Sequence, residues 1–115
     1  MKGYIRDHHL GNLPQCYTIY QLKNLHERNG GCFFTEGAKR FFRSRIHSDV
    51  YGGCVFVTSE KHVSWRFEGD RLYTVRYMDG KGDTHTVGEF QGFKTRSKAH
   101  TFARNLGEWI EKRRE

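Results

Sequence analysis

Between Thr35 and Glu60 the chain changes its hydrophobic period, and that change restricts the possible folds more than any other stretch. Ala38, Phe41 and Phe42, followed by Arg45 or Ile46, recur at the steps of one helix face, and Lys39, Arg40 and Arg43 take the opposite side. Thr35 is a suitable N-cap and Glu36 suits the first turn, whereas Gly37 weakens the helix and leaves it dependent on packing of the two Phe rings. Tyr51-Gly52-Gly53 then forms a turn, and Cys54-Val55-Phe56-Val57 is a β-branched and aromatic run bounded by Thr58-Ser59-Glu60. A basic helix therefore passes into a strand, with Ser44 to His47 starting the passage. That excludes both an all-helical and an all-strand chain.

The flanking segments extend the same pattern. Thr18-Ile19-Tyr20-Gln21 has the form of a capping box, with Tyr17 and Leu22 placed for a hydrophobic staple. Ile19, Leu22, Leu25 and His26 share a face, and Asn29-Gly30-Gly31 ends the helix, which is predicted over 19–29. Three antiparallel strands are predicted at about 54–59, 71–78 and 84–90, the last two joined through the turn Asp79-Gly80-Lys81-Gly82-Asp83. Residues 61–70 read as a loop that lays Trp65 and Phe67 over the core. Ala99, Phe102, Ala103, Leu106, Trp109 and Ile110 form the stripe of a last helix over 96–113, capped by Thr95 or Ser97. Residues 1–16 carry few apolar positions and read as a flexible or extended arm. The expectation is one α+β domain over 1–115: an antiparallel sheet of three to four strands against two N-terminal helices and one long C-terminal helix.

Composition matters for partners. The chain of 115 residues has a formal charge of +7, concentrated on the predicted helices, while the strand region is weakly acidic. A polyanion should therefore meet a helix face and not a ring-bearing sheet. The residues expected to contact a partner or nucleic acid are Lys39, Arg40, Arg43, Arg45, Lys94, Arg96 and Lys98. Nine Phe and six Tyr must supply much of the core. Three cysteines, at 16, 32 and 54, form no C-x-x-C pair, which argues against a disulfide framework or a zinc knuckle and for a reducing cytoplasm. No apolar run reaches membrane-span length, and Met1 to Leu13 is too polar for a signal peptide.

Catalytic patterns are missing. There is no phosphate-binding loop, no G-x-S-x-G and no H-E-x-x-H. His8 and His9 are adjacent and so do not share a face, and no further ligand stands at a recognisable spacing; a surface pair is expected, with no metal and no cofactor. A metal-independent nuclease is the enzymatic alternative, assembled from His47, His62 or His85 with Arg43 and Glu60.

Four ordered blocks carry a resemblance: F-F-R-S-R-I at 41–46, Y-G-G-C-V-F-V-T-S-E at 51–60, R-L-Y-T-V-R at 71–76 and T-V-G-E-F at 86–90. Over about residues 32–106 the chain resembles a family of small uncharacterised proteins encoded by bacteriophages, plasmids and other mobile elements. The resemblance implies no catalytic residue. It implies a non-enzymatic protein of mobile-element origin that docks on a host defence nucleoprotein complex, in the manner of CRISPR–Cas inhibitors. Direct nucleic-acid binding through the basic helix faces is the second expectation.

Overall fold

The computed structural model describes residues 3–30, 45–63 and 68–114. The expected helix bearing Lys39, Arg40 and Arg43 lies outside the described residues, as do Cys32, Trp65 and Phe67. The elements are α1 (Asp7–Leu10), α2 (Ile19–Arg28), β1 (Arg45–Ile46), β2 (Val55–Val63), β3 (Glu68–Met78), β4 (Thr84–Val87) and α3 (Arg96–Arg114). The strands form one antiparallel sheet in the order β1-β2-β3-β4. This is the α+β domain that the periodicity predicted.

Both faces of the sheet are filled, and for that reason β2 opens on a continuous apolar run and not on an alternating one. Val55, Val57, Val75, Tyr77 and Val87 join Ala99, Ala103, Leu106 and Ile110 of α3 in the main core. Phe56 and Met78 point the other way and pack with Leu22 of α2. Thr18 caps α2 as the sequence implied: its hydroxyl accepts from the Gln21 amide at 3.3 Å, and the Gln21 side chain accepts from the Thr18 amide at 3.2 Å. The Tyr17 staple does not form. That ring is exposed, because Leu22 is taken up by Phe56 and Met78.

α3 begins at Thr95, whose hydroxyl accepts from the Lys98 amide at 3.2 Å. Its most buried positions are Ala99, Ala103, Leu106, Gly107 and Ile110. Phe102 and Trp109, expected within the stripe, flank its buried centre and are half-buried: Phe102 meets Tyr4 and Phe93, and the Arg113 guanidinium lies over Trp109 at 4.1 Å. The centre is occupied by small residues because the helix backbone comes very close to a turn. A Cβ on Gly107 would stand 2.7 Å from the Gly52 nitrogen, and Gly52 itself has φ +60°.

Three expectations need correction. Residues 61–70 are mostly strand, since β2 runs through Val63 and β3 starts at Glu68 with Lys61 opposite Arg71; charged side chains on a two-stranded ribbon hid the strand period. The predicted strand 84–90 stops at Val87 because Gly88 turns at φ +72°, the Gln91 amide donates to the Thr74 hydroxyl at 2.8 Å, and Phe93 pairs with Tyr73. The N-terminal segment within 3–16 is packed, with a short helix, where an extended arm was expected. Ile5 is 1% exposed, and Leu10 and Leu13 pack on the main core. A Cβ on Gly80 would collide with the Asn12 carbonyl oxygen, and Arg114 donates to the carbonyls of Leu13, Pro14 and Gly52. Isolated apolar residues show no period, so nothing local announced this docking.

Candidate functional site

Strand register builds the first constellation. Arg45 pairs with Ser59 across β1 and β2, and Ser59 with Tyr73 across β2 and β3, so the three side chains stand in one row on the α3 face. His47 lies two residues from Arg45 and Arg71 two residues from Tyr73, on opposite sides of this row, and the first turn of α3 contributes Arg96. They line a cavity of about 260 Å³ together with Ile46. Three arginines thus line one cavity, and none of the described residues lining it carries a carboxylate. Arg71 donates to the Ser59 carbonyl at 3.2 Å and to its hydroxyl at 3.0 Å, which holds one of the three in place.

Behind the arginines runs a chain of hydrogen bonds. Ser59 Oγ lies 3.2 Å from His47 Nε2, His47 Nδ1 lies 2.7 Å from His100 Nε2, and His100 Nδ1 lies 2.8 Å from the Tyr51 hydroxyl. One hydrogen per link rules out protonation of both imidazoles at once, since two N–H groups would then face each other between His47 and His100. The electrostatics agree. Burial, then the neighbouring His100, then Arg96 push His47 down to about 4, against a smaller opposing pull from Asp49. Burial likewise lowers His100; Arg96 and Arg104 act in the same direction and Asp49 opposes. Held neutral and bonded to each other, the two rings position the pocket wall and add no positive charge near neutral pH.

Of the residues singled out in the sequence, Arg45 and Arg96 come together here. Lys94 and Lys98 are exposed and do not line the cavity. Lys39, Arg40 and Arg43 lie outside the described residues. Sequence reasoning missed Arg71, Ser59 and the His47–His100 pair. Counting by twos from the core residue Val75 reaches Tyr73 and Arg71, a signal that was present; the partnership of His47 with a residue of the last helix had none.

Of the residues of the nuclease alternative, the described His47, His85 and Glu60 do not converge. His47 follows β1 and His85 lies in β4, at opposite edges of the sheet, so three strand spacings of roughly 14 Å in total separate them. Glu60 alternates with Ser59 and so faces away from His47. Its carboxylate accepts from Thr58 Oγ1 at 2.6 Å, Thr74 Oγ1 at 2.9 Å and the Arg76 guanidinium at 3.3 Å. The side chain of His62 and the whole of Arg43 lie outside what is described.

A second constellation corrects the reading of His9 as a surface residue without partners. His9 Nδ1 lies 2.8 Å from the Tyr77 hydroxyl, and its Nε2 lies 3.5 Å from Asp79 Oδ2. His85 Nε2 approaches the same oxygen at 2.6 Å. The other carboxylate oxygen, Oδ1, accepts the amides of Lys81 and Asp83 at 2.8 and 3.1 Å, which shapes the turn. Burial alone would raise the Asp79 carboxyl; the hydrogen bonds from His85, Asp83 and Lys81 outweigh it and hold the pKa below the usual value. The ligand-type side chains come from α1, the end of β3 and β4, so no spacing in the sequence reveals the group.

The model of a family of unknown function (DUF7447) matches residues 18–104. No curated protein and no solved structure matches the chain. The arginine cavity lies wholly within the matched span, whereas His9 precedes it. Among the described residues no helix is long and apolar enough to cross a membrane.

Proposed function

The chain belongs to this family of unknown function, and from its geometry we propose that it is a non-enzymatic binding protein that grips the phosphate backbone of a nucleic acid, free or displayed on a nucleoprotein complex. The observation that carries the reading is the convergence of Arg45, Arg71 and Arg96 on one cavity whose described lining includes no carboxylate. Guanidinium forks match phosphate oxygens in pairs, so arginines lining one cavity suit a phosphate group. The amide end of α3 adds to the positive potential at the same place. A docking inhibitor of a host defence complex in the cytoplasm, the role that the mobile-element resemblance implies, would use this cavity on the exposed phosphates of its target.

The test is affinity for single- and double-stranded oligonucleotides as a function of salt, for the parent and for Arg45→Gln and Arg96→Gln. Parent affinity should fall steeply with salt, and each substitution should flatten the slope by roughly 0.7 on a single strand and 0.9 on a duplex per lost phosphate contact. A folded parent that binds no oligonucleotide at low salt, or variants with the parent's slope, would refute this function. Reversing Lys39, Arg40 and Arg43 to Glu is the companion experiment: loss of binding confined to that variant would move the interface to that segment.

A further inference from the structure

We propose that His9, Asp79 and His85 form a binding site for a divalent transition-metal ion of the zinc class, clasping the N-terminal segment to the turn between β3 and β4. Their three ligand atoms, two imidazole nitrogens and one carboxylate oxygen, lie within 4.8 Å of one another. That donor set suits zinc and its neighbours and is poor for calcium or magnesium, which prefer oxygen alone. Zinc holds such ligands at about 2.0–2.1 Å, so neighbouring donors in a tetrahedral shell stand roughly 3.4 Å apart. His9 Nε2 is already 3.5 Å from Asp79 Oδ2. His85 Nε2, at 2.6 Å from that oxygen, needs to move back by less than about 1 Å, a side-chain adjustment.

The surroundings prepare each ligand for that role. The Tyr77 hydroxyl at 2.8 Å from His9 Nδ1 can accept a hydrogen bond from Nδ1–H, so the lone pair of Nε2 faces the cluster. The Lys81 and Asp83 amides occupy Asp79 Oδ1 and leave Oδ2 for the ion. The cluster opens on a cavity of about 340 Å³, which has room for water or another exchangeable ligand in the fourth position. This site is separate from the arginine cavity: His85 stands in the edge strand opposite β1.

The full chain, freed of metal, is titrated with Zn²⁺ by calorimetry and with Co²⁺ by visible absorption. One equivalent should bind, Co²⁺ should give the bands of a four-coordinate site without intense thiolate charge transfer, and Zn²⁺ should raise the melting temperature. His85→Gln and His9→Gln should each weaken binding about 100-fold or more, and Tyr77→Phe by roughly 10- to 100-fold, the usual effect of losing an outer-shell partner. Absence of both the Co²⁺ spectrum and a Zn²⁺-dependent melting shift would overturn the proposal. So would thiolate bands, which need no variant to be folded and would assign the ion to cysteine. Parent-like affinity in the His9→Gln/His85→Gln double variant, checked for native circular dichroism, would place the ion elsewhere.

Discussion

Acidification should destabilise this protein through His47 well before its carboxylates titrate. The ring is held at about 4 in the folded chain, against 6.5 for an unperturbed histidine. The unfolded chain therefore takes up the proton first. Stability from this group is complete above about pH 6.5 and is lost as the pH falls towards about 4. Each pH unit in that window costs at most about 1.4 kcal/mol per proton, hence about 2 kcal/mol between pH 7 and 5, reduced to about 1–2 kcal/mol because the half-buried ring is partly screened by solvent. Burial sets the sign first; His100, Arg96 and Arg71 also disfavour the imidazolium and Asp49 opposes them. Urea denaturation at pH 5, 6, 7 and 8 measures the slope for the parent and for His47→Gln. The variant should be less stable at pH 8, having lost hydrogen bonds to His100 and Ser59, yet its stability should decline less from pH 7 to 5. Parallel curves for the two proteins would refute the argument that His47 is buried neutral.

Gly107→Ala should lower stability by about 1–3 kcal/mol, the range for overpacking, because its Cβ would meet the backbone of Tyr51 and Gly52 at 2.7–2.8 Å; an unchanged urea midpoint would show that the helix and the turn are not in contact. Leu106→Ala should cost about 2–5 kcal/mol and exceed Phe102→Ala or Trp109→Ala, since Leu106 is fully buried and the two rings are flanking; the ranking of the three midpoints decides. Burial pushes the Cys54 thiol up to about 12 and raises Cys16 too, so iodoacetamide at pH 8 should leave Cys54 unmodified in the native chain, with peptide mass spectrometry as the readout. Modification of Cys54 at the rate found in urea would contradict its position under α3.

The sequence by itself determined the elements whose signals are local. The Thr18 capping box, the α3 stripe from Ala99 to Ile110 and the apolar run at Val55–Val57 each arise from neighbours a few residues apart. A hydroxyl that reaches an amide three positions on, or a side chain that recurs every turn, acts the same way in any fold. Strand parity also put Arg71 and Tyr73 on the face of Val75, legible to anyone who counts in twos. Only tertiary structure decided which partners meet across long separations. His47 meets His100 because α3 packs across β2 and β3 beside the segment that follows β1, and His9 meets Asp79 and His85 because single apolar anchors, Ile5, Leu10 and Leu13, draw the N-terminal segment onto the core. Such meetings follow from the sum of packing over the whole sheet, and no spacing along the chain encodes them. Exposed charge behaves in the same way: Arg45 and Arg96 belong to one cavity while Lys94 and Lys98 do not, because solvent tolerates a cation in any register and only the approach of a helix end to a strand row sets the arginines along one cavity.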